Sequence, residues 1–495
     1  LDDLEGAARD GRLATVSGFG PKSVETLLES IRVLRAQRGR IPRYLAEAVA
    51  HTALHGLRQM GDLAHVTVVG GIRRRVEMVR RIDLLAASDT PAAVLEAFSR
   101  LALFREVTPL PEPPQDSGED QGVGEDRDSE EGQDALPVSG AVAYTREHYP
   151  VLLRVVPPAL WGPALQRFTG SPLHNNQLRE RAQSQGLAVQ GLFLLQPNGR
   201  VLEAPDEATI YRHLGLPELP PELREGRGEI AAALTGRLPR LIELADIRGD
   251  LHLHTSWSDG SHTIGQMARR SQALGREYIA ISDHSQSLGV ARGLTLERLA
   301  EQRREIATVD AELQAERRAE GERGIRILSS VELDIKSDGT LDYPDETLAA
   351  FDFVTASIHS GFQQSAEQLT QRVIAAMRSS HVDAIGHLTG RVLGRREALE
   401  MDVEAILHVA AQTGTAMEIN AWPNRLDLHE GHARRAKELG VKLVINTDSH
   451  ADDQLEYMCY GVEVARRGWI EPADVLNTLP LEDLIAYLAA RPHKG

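Results

Sequence analysis

The sequence is short of cysteine, of long apolar runs and of positive charge. Its single cysteine, Cys459, excludes an intrachain disulfide and gives no sign of secretion. No run of about 18 apolar residues is present, so a membrane span is not expected, and no signal peptide is recognisable. The chain begins at Leu1 rather than at methionine, so we expect that an N-terminal piece is missing. Its 495 residues are enough for several domains.

The net charge of −17 is unusual for a protein that binds nucleic acid, but it is unevenly distributed. Residues 112 to 134 contain ten acidic residues and one basic residue, Arg127, and therefore carry −9 of the total. This stretch is rich in Pro, Gly, Ser and Gln and has no aromatic residue, which predicts a disordered acidic insert over residues 111–136. The rest of the chain is only mildly acidic, and carboxylates in metal sites would account for part of its charge.

The first half of the chain, outside the acidic stretch, predicts a mixture of helices and strands. Two helical stretches flank the turn Gly18-Phe-Gly20, whose backbone N–H groups can hold a phosphate without reading the base sequence. A plain helix–helix corner uses glycine equally well, so this turn alone does not decide between the two. Hydrophobic periodicity predicts helices over 4–13, 23–35, 43–61 and 159–167, strands over 65–69, 82–85 and 151–156, and a small mixed segment over 175–235.

From Gly249 onwards, seven short apolar runs alternate with helical stretches. Such alternation is typical of parallel βα units, and seven units predict a closed barrel related to the eight-stranded type. The charged helix predicted over 296–318 is expected on the outside of this barrel. The apolar runs cover residues 251–254, 278–282, 325–331, 353–358, 382–386, 416–420 and 442–447.

Histidine or acidic residues stand at the C-terminal ends of six of these seven runs. Residues two apart in a strand point to the same side, so His252 with His254, and Asp448 with His450, face one direction. The C-terminal ends of barrel strands meet at one mouth, which is expected to hold all of these side chains. One histidine at a strand end is more often only hydrogen-bonded, but six such ends together predict a metal site. The candidate ligands are His252, His254, Asp259, His284, Glu332, His359, His387, Asp448 and His450.

Imidazole and carboxylate ligands together suit Zn²⁺, Mn²⁺ or Fe²⁺ rather than Ca²⁺. Nine ligands are too many for one tetrahedral ion and suit three divalent ions. Such ions lower the pKa of a bound water and neutralise phosphoryl oxygens as charge develops, which predicts hydrolysis of a phosphoester. No side-chain nucleophile is needed, so no catalytic group beyond metal-bound hydroxide is assigned.

The stretches that carry these nine residues resemble the motifs of the PHP (polymerase and histidinol phosphatase) domain. They are Asp250-Leu-His-Leu-His-Thr-Ser-Trp-Ser-Asp-Gly260, Ile281-Ser-Asp-His-Ser285, Val331-Glu-Leu-Asp-Ile335, Ala356-Ser-Ile-His-Ser360, Ile385-Gly-His-Leu-Thr-Gly-Arg391 and Thr447-Asp-Ser-His450. The resemblance implies a distorted (β/α)7 barrel with a trinuclear site. It implies one ion on His252, His254, Glu332 and Asp448, a second on Glu332, His359 and His387, and a third on Asp259, His284 and His450.

The first half resembles the family X DNA polymerases, and with the barrel it resembles the bacterial members that carry a C-terminal PHP domain. The motifs are Gly70-Gly-Ile-Arg-Arg-Arg-Val-Glu77, Ile82-Asp-Leu-Leu85, Leu153-Arg-Val-Val156, Phe168-Thr-Gly-Ser171 with His174-Asn175, and Leu214-Gly-Leu-Pro217 with Pro220-Pro-Glu-Leu-Arg224. The resemblance implies helix-hairpin-helix fingers over 1–40, an α+β nucleotidyltransferase-like palm over 41–158, a thumb over 159–240 and the PHP barrel over 241–495. We expect the lyase-like N-terminal domain of that family to be largely absent from this chain.

The polymerase motif departs from the family pattern at its carboxylates. The family holds two Mg²⁺ ions with three aspartates, and of these only Asp83 is present, because Arg81 and Leu152 occupy the other two positions. Arg80 replaces the glycine that precedes the pair. Nucleotide addition is therefore predicted to be absent or very weak, with compensation by a neighbouring acid as the alternative.

Residues that match phosphate and nucleotide contacts of the family are still present. The resemblance implies vestigial nucleotide binding by Gly70, Arg73, Arg74, Asp83, Gly170 and Asn175, and DNA binding by Gly18, Gly20 and Lys22. Arg292, Arg391 and Arg395 lie near ligand-bearing loops and are DNA contacts or, equally, surface salt-bridge residues. Arg80 and Arg81 would add a phosphate-binding surface to the palm.

The main hypothesis is a DNA-repair 3′–5′ exonuclease that acts on 3′ ends, gaps, single strands or recessed ends with Mn²⁺, Zn²⁺ or Fe²⁺. Base-excision repair, a cytoplasmic location at the bacterial nucleoid and a monomer are implied by the resemblance. The alternatives are a small-molecule phosphomonoester phosphatase of PHP type, a still-active DNA polymerase, and a DNA-end binding module without chemistry.

Overall fold

The computed structural model describes residues 2–13, 16, 20, 23–24, 27–28, 31, 39–59, 63–110, 138–319, 321 and 324–490. The chain divides into two compact units, one made of residues 1–36 with 239–495 and the other of residues 37–238. Helix α1 spans Asp2–Arg9. The predicted acidic insert and most of the predicted helix over 23–35 lie outside the described residues. Within the described ranges, no helix is both long and apolar enough to cross a membrane.

The unit of residues 37–238 begins with a five-stranded sheet covered by helices and a separate antiparallel pair of short strands, β1 and β3. The strands of this part are β1 Ile41–Pro42, β2 His65–Val68, β3 Met78–Val79, β4 Ile82–Ala87, β5 Phe104–Pro109, β6 Ser139–Thr145 and β7 Pro150–Val156. Its helices are α2 Arg43–Arg58, α3 Gly70–Arg73 and α4 Pro91–Ser99. The sheet order is β2-β4-β7-β6-β5, and only β4 and β7 run parallel. Strand β7 is apolar along most of its length because it is buried in the middle of the sheet.

The same unit continues with four helices and a small antiparallel sheet. The helices are α5 Trp161–Thr169, α6 Pro172–Ser184, α7 Glu207–His213 and α8 Glu229–Leu234. The strands are β8 Ala188–Gln190, β9 Phe193–Leu195 and β10 Val201–Leu202, paired in the order β10-β9-β8. The Ser171 hydroxyl accepts a hydrogen bond from the His174 N–H and so caps α6, which follows Gly170.

The second unit contains a seven-stranded, all-parallel barrel. Its strands are β11 Gly249–Leu253, β12 Tyr278–Ile281, β13 Arg326–Asp334, β14 Phe353–Ser357, β15 Ala384–Ile385, β16 Ala416–Asn420 and β17 Leu443–Asn446, hydrogen-bonded in chain order. The first and last strands also meet, since the Asp448 N–H donates to the His252 carbonyl at 2.9 Å and the His254 N–H to the Ser449 carbonyl at 2.8 Å. The predicted (β/α)7 barrel is therefore confirmed.

Helices follow the barrel strands, and four of them begin at a capping side chain. The helices are α9 Ile264–Ala273, α10 Leu296–Ala319, α11 Asp345–Leu348, α12 Ala366–Met377, α13 Val403–Thr413, α14 Glu430–Glu438, α15 Met458–Arg467 and α16 Leu481–Ala489. Thr263 with Gln266, and Ser365 with Gln368, form capping boxes that start α9 and α12. These two caps fix where the loops before α9 and α12 end.

Two of the predicted runs differ most from the observed strands. The run over 382–386 forms only the two-residue strand β15, which is shorter than the run at both ends. The run over 325–331 continues to Asp334, because Glu332 to Asp334 stay in register with Thr355 to Ser357 of β14. The added residues of β13 lie at the mouth of the barrel.

Candidate metal centre

The nine predicted ligands lie together at the C-terminal mouth of the barrel. Six are buried, whereas Asp259, His359 and His450 keep contact with solvent. They come from β11 and its following loop (His252, His254, Asp259), from the residues after β12 (His284), from β13 (Glu332), from the loops after β14 and β15 (His359, His387) and from the residues after β17 (Asp448, His450).

Glu332 occupies the middle of this group. One carboxylate oxygen, Oε1, lies 3.1 Å from His359 Nε2 and 2.9 Å from His387 Nε2. The other, Oε2, lies 2.9 Å from His284 Nδ1. The same oxygen is 3.5 Å from His252 Nε2. A single carboxylate therefore borders imidazoles from four other strand ends.

Two further carboxylates complete the arrangement on the side of His254. Asp448 Oδ1 lies 3.1 Å from His254 Nε2 and 3.7 Å from His252 Nε2. Asp259 Oδ1 lies 3.3 Å from His450 Nε2 and 4.0 Å from His254 Nδ1. His254 thus has one ring nitrogen near each carboxylate.

The donor set fits divalent ions. Two ligand atoms that bind one tetrahedral ion at about 2.1 Å lie about 3.4 Å apart, and many of the spacings above fall near that value. Three buried ring nitrogens of the centre, His252 Nε2, His254 Nδ1 and His284 Nδ1, have no hydrogen-bond partner among the described residues. Unpaired buried nitrogens next to carboxylates are the positions at which ions would complete the bonding.

Ligand atoms group in three sets that each could hold an ion. The sets are His254, Asp259, His284 and His450; His252, His254 and Asp448; and His284, Glu332 and His359. They overlap with the division implied by the family resemblance but differ from it. His284 and His254 each belong to two sets, and Glu332 is not in the set of His252 and Asp448. His387 contacts Glu332 but belongs to none of the three sets.

The electrostatics of the centre keep its carboxylates ionised. Burial alone would raise the pKa of Glu332, but the charges of His359, His252 and His284 hold it well below its usual range. Burial and the nearby imidazoles of His450 and His284 lower the pKa of His254 to about 3. A neutral His254 has a lone pair available for a cation, and the ionised carboxylates attract one.

Glu418, on β16, is one residue of this centre that the sequence reasoning missed. Its buried carboxylate accepts hydrogen bonds from His252 Nδ1 at 2.7 Å, from the His387 N–H at 2.7 Å and from Asn446 Nδ2 at 3.0 Å. The hydrogen bond to Nδ1 leaves Nε2 of His252 facing Glu332 and Asp448. The signal in the sequence is a glutamate within the otherwise apolar run over 416–420.

Asp334 orients the ring of His359 in the way that Glu418 orients the ring of His252. Its Oδ1 accepts from His359 Nδ1 at 3.1 Å, so that Nε2 of the ring faces Glu332. Its other oxygen accepts from the Ser287 hydroxyl at 2.9 Å, which attaches the loop after β12. Two carboxylates outside the predicted ligand set therefore fix the orientation of two predicted ligands.

Two of the predicted ligands have left-handed backbone conformations. The φ angle is +22° at His387 and +54° at Asp448, a region that residues other than glycine rarely adopt. Both lie directly after barrel strands. The backbone there turns the side chains into the centre instead of continuing the strand.

Four arginines near the mouth have different environments. Arg292 and Arg395 are exposed, as a DNA contact requires. Arg391 is largely buried, and its guanidinium donates to the carbonyl oxygens of Arg425 and Leu426. Arg425, which was not predicted, has its Nε 3.8 Å from Asp448 Oδ2. Arg391 thus supports the loop that carries Arg425, and DNA contacts by the three predicted arginines stay predictions.

The predicted nucleotide contacts in the other unit are already paired within the chain. Arg73 donates to both carboxylate oxygens of Glu207, at 2.8 and 2.5 Å, and Arg74 to Glu225 at 3.0 Å. Asn175 Nδ2 donates to the Arg167 carbonyl. Phosphate contacts by these residues stay predictions, and the pairs instead join the α3 region to the helical part of the unit. Gly18 and Lys22 lie outside the described residues.

Asp83, the one remaining palm carboxylate, is held by two arginines. Its Oδ1 accepts from Arg81 Nε at 3.0 Å and from Arg154 Nη1 at 3.1 Å. Leu152 lies beside Asp83 in the register of β4 and β7. At Gly70, with φ +62°, an added Cβ would lie 3.1 Å from Asp83 Oδ2. The guanidinium groups of Arg81 and Arg154 therefore lie where a metal ion bound to the Asp83 carboxylate would have to lie.

Comparison with known proteins finds similarity in both units of the chain. Residues 164–225 match the family model described as DNA polymerase beta thumb, and residues 250–421 match the PHP domain. The chain is 37% identical over 489 residues to a Bacillus subtilis (strain 168) protein named DNA polymerase/3′-5′ exonuclease PolX, covering 98% of this chain and 80% of the relative.

Shorter relatives match about the second half of the chain. A probable phosphatase of Acetivibrio thermocellus is 30% identical over 210 residues, covering 41% of this chain and 78% of the relative. A probable phosphatase of Thermoanaerobacter sp. (strain X514) is 29% identical over 244 residues, covering 46% of this chain and 89% of the relative.

Proposed function

Because the chain belongs to the bacterial family X DNA polymerases that carry a C-terminal PHP domain, we propose that its barrel is a metal-dependent 3′–5′ exonuclease that acts on DNA. The observation that carries this proposal is the convergence of nine imidazole and carboxylate side chains at one mouth of the barrel, where four of the imidazoles border Glu332. The Bacillus subtilis relative, which is similar over nearly the whole chain, bears the name of a polymerase and 3′-5′ exonuclease.

The proposed site holds three divalent ions, Mn²⁺, Zn²⁺ or Fe²⁺, on the nine residues named above. Bound ions of this kind supply an activated water and offset charge on phosphoryl oxygens during in-line displacement. Within the chain, Glu418 and Asp334 orient His252 and His359. Arg425, beside Asp448, is the candidate for holding a non-bridging phosphate oxygen of the substrate.

The proposed substrate is DNA with a 3′ end that is recessed, gapped or single-stranded. We propose that the unit of residues 37–238 grips the DNA backbone and no longer adds nucleotides. Asp83 paired with Arg81 and Arg154 supports the second part, because one carboxylate that already neutralises guanidinium groups is a poor ligand for two Mg²⁺ ions. Base-excision or gap repair at the nucleoid of a bacterial cytoplasm is the proposed setting.

A gel assay tests this function. Recessed 3′ ends are incubated with Mn²⁺, with and without deoxynucleoside triphosphates, for the wild type and the double variant His252→Ala/His254→Ala. We expect stepwise shortening by the wild type only. His408→Ala serves as a control, because His408 pairs with Glu404 on the outer helix α13. Shortening that persists in the double variant would locate the activity elsewhere, and primer extension would contradict the proposed loss of polymerase activity.

The second candidate is a small-molecule phosphatase. The probable phosphatases similar to this chain align with 41% and 46% of it, so their likeness concerns only part of the chain. This candidate predicts turnover of a nucleoside monophosphate or a sugar phosphate and none of DNA. Comparing release of inorganic phosphate from these compounds with shortening of DNA decides between the two.

A further inference from the structure

Aromatic side chains lead away from the metal centre, beginning at a predicted ligand. Trp422 lies with its ring centroid 5.7 Å from that of His450, and Tyr457 lies 5.6 Å from Trp422. Tyr460 follows at 6.3 Å from Tyr457. Phe, Trp and Tyr make up only 4% of the chain, so three of them in sequence beside the centre is a notable concentration.

Trp422 differs from the other three tryptophans in what covers its ring. Trp161 is stacked with His65, with centroids 4.9 Å apart and an interplanar angle of 26°. The guanidinium of Arg298 lies over Trp257, and that of Arg434 lies over Trp469. Among the described residues, the ring neighbours of Trp422 are His450 and Tyr457, both near perpendicular, at 89° and 76°. Among those residues, no stacked ring and no guanidinium group lies over the face of the Trp422 ring.

The backbone of Trp422 is tied to the metal centre. Its N–H donates to Asn420 Oδ1 at 3.0 Å, and Asn420 Nδ2 donates to Asp448 Oδ2 at 3.1 Å. The N–H of Arg425 donates to the Trp422 carbonyl at 2.8 Å. The loop after β16 therefore presents an aromatic ring beside His450 and a guanidinium beside Asp448.

We propose that Trp422, Tyr457 and Tyr460 form a stacking track for the nucleobases at the 3′ end of single-stranded DNA. The inference rests on the proposed exonuclease and names the form of DNA that enters the site. All three side chains are partly exposed, as contact with a ligand requires. Aromatic rings that receive successive bases, beside cations that receive phosphates, are the usual features of single-strand binding, and they work without reading base sequence.

The inclination of the rings favours a single strand over a duplex. Neighbouring rings of the aromatic track are inclined at 76° and 65° to one another. Bases that lie flat on two neighbouring rings therefore cannot stay parallel and stacked on each other as they are in a duplex. A single strand can spread its bases in this way, whereas a duplex must first lose its terminal pairs.

Binding to two matched oligonucleotides tests the aromatic track. One is an oligodeoxythymidylate with hydrolysis-resistant phosphorothioate linkages, and the other is the same strand with abasic residues at its 3′ positions. Affinity is measured by fluorescence anisotropy of a 5′ dye on the Mn²⁺-loaded protein. For Trp422→Ala we expect binding of the base-bearing strand to be on the order of tenfold weaker than for the wild type. The abasic strand should bind the variant and the wild type with the same affinity. Trp422→Phe should recover much of the affinity, because phenylalanine also offers a face for stacking.

The control variant is Trp469→Ala, which removes a tryptophan whose ring already contacts Arg434. It should bind both strands as the wild type does. Unchanged affinity in Trp422→Ala would overturn the proposal. An equal loss for both strands would also overturn it, because Trp422 would then act on the shape of the centre and not on a base. Shortening of ordinary DNA by the wild type is scored separately, so failure of the exonuclease function remains distinguishable.

Discussion

At the scale of single residues, the geometry of the candidate centre depends on carboxylates outside the ligand set. Glu418 accepts from Nδ1 of His252 and from the backbone of His387, so it orients residues on both sides of Glu332. A carboxylate in this position selects the ring tautomer and raises the basicity of the other nitrogen. Its removal is expected to weaken a metal site without removing a ligand.

We therefore predict that Glu418→Gln lowers metal affinity or exonuclease rate by about 10–100-fold. Metal affinity is measured by competition with a chromophoric chelator, and the rate is measured on recessed DNA at saturating Mn²⁺. Glu404→Gln is the matched control, since Glu404 pairs with Arg435 at the surface of α13. If Glu418→Gln and Glu404→Gln had the same metal affinity and the same exonuclease rate, an orienting role for Glu418 would be contradicted.

At the scale of elements, α3 and α7 are joined through charged side chains. Glu207 accepts from Arg73 and also from Arg224, whose side chain has no exposure to solvent. Burial alone would raise the pKa of Glu207, but the two guanidinium groups hold it below its usual range. The pair network is thus ionised at neutral pH, and removing Glu207 would leave Arg224 as an uncompensated buried charge.

Glu207→Gln is predicted to destabilise residues 37–238 by about 3–5 kcal/mol at pH 7. Because the folded pKa of Glu207 is lowered, its contribution is present above the unfolded pKa of about 4.3 and is lost as pH falls through the folded value. The difference in the free energy of unfolding between the wild type and Glu207→Gln should therefore be smaller at acidic pH than at pH 7. Urea unfolding followed by peptide-resolved hydrogen exchange, at pH 7 and pH 3, measures both quantities.

Glu203→Gln, at an exposed position next to α7, is the control for Glu207→Gln and should change stability by less than about 0.5 kcal/mol. A difference between wild type and Glu207→Gln that stays constant from pH 7 to pH 3 would contradict the assignment to the carboxylate. A variant as stable as the wild type would show that the ion pairs add nothing to the folded state.

The same elements show what sequence patterns could predict. Alternation of apolar runs and helices predicted the seven barrel strands, because the core of a parallel barrel is apolar and its polar residues gather at strand ends. The pairing of Arg73 with Glu207 was not predictable, since the two are 134 positions apart and either one alone resembles a surface charge. Glu418 was missed for a related reason, because its role depends on His252, which is 166 positions away.

At the scale of the whole molecule, each of the two units has its own apolar core. Ile82, Leu84 and Leu153 belong to a cluster within residues 37–238, whereas Leu251, Tyr278 and Val444 belong to a cluster within the barrel. The stability of each unit is therefore expected to depend on its own apolar core and on the ligands that it binds.

Metal removal is expected to separate the two units in a thermal experiment. Each ion that binds only the folded barrel stabilises it by about 2.7 kcal/mol at one hundred times its dissociation constant. Since 1 kcal/mol shifts the unfolding midpoint of a unit of this size by about 2–4 °C, chelation should lower the unfolding temperature of the barrel by several degrees or more.

Peptide-resolved hydrogen exchange during heating should show this shift in residues 239–490 and no shift in residues 63–110 or 138–238. The double variant His252→Ala/His254→Ala, which lacks two of the nine predicted ligands, should show a smaller shift on chelation in the barrel than the wild type does. A shift of the same size in both units would contradict their independence, and a wild-type barrel that is indifferent to chelation would contradict the metal centre itself.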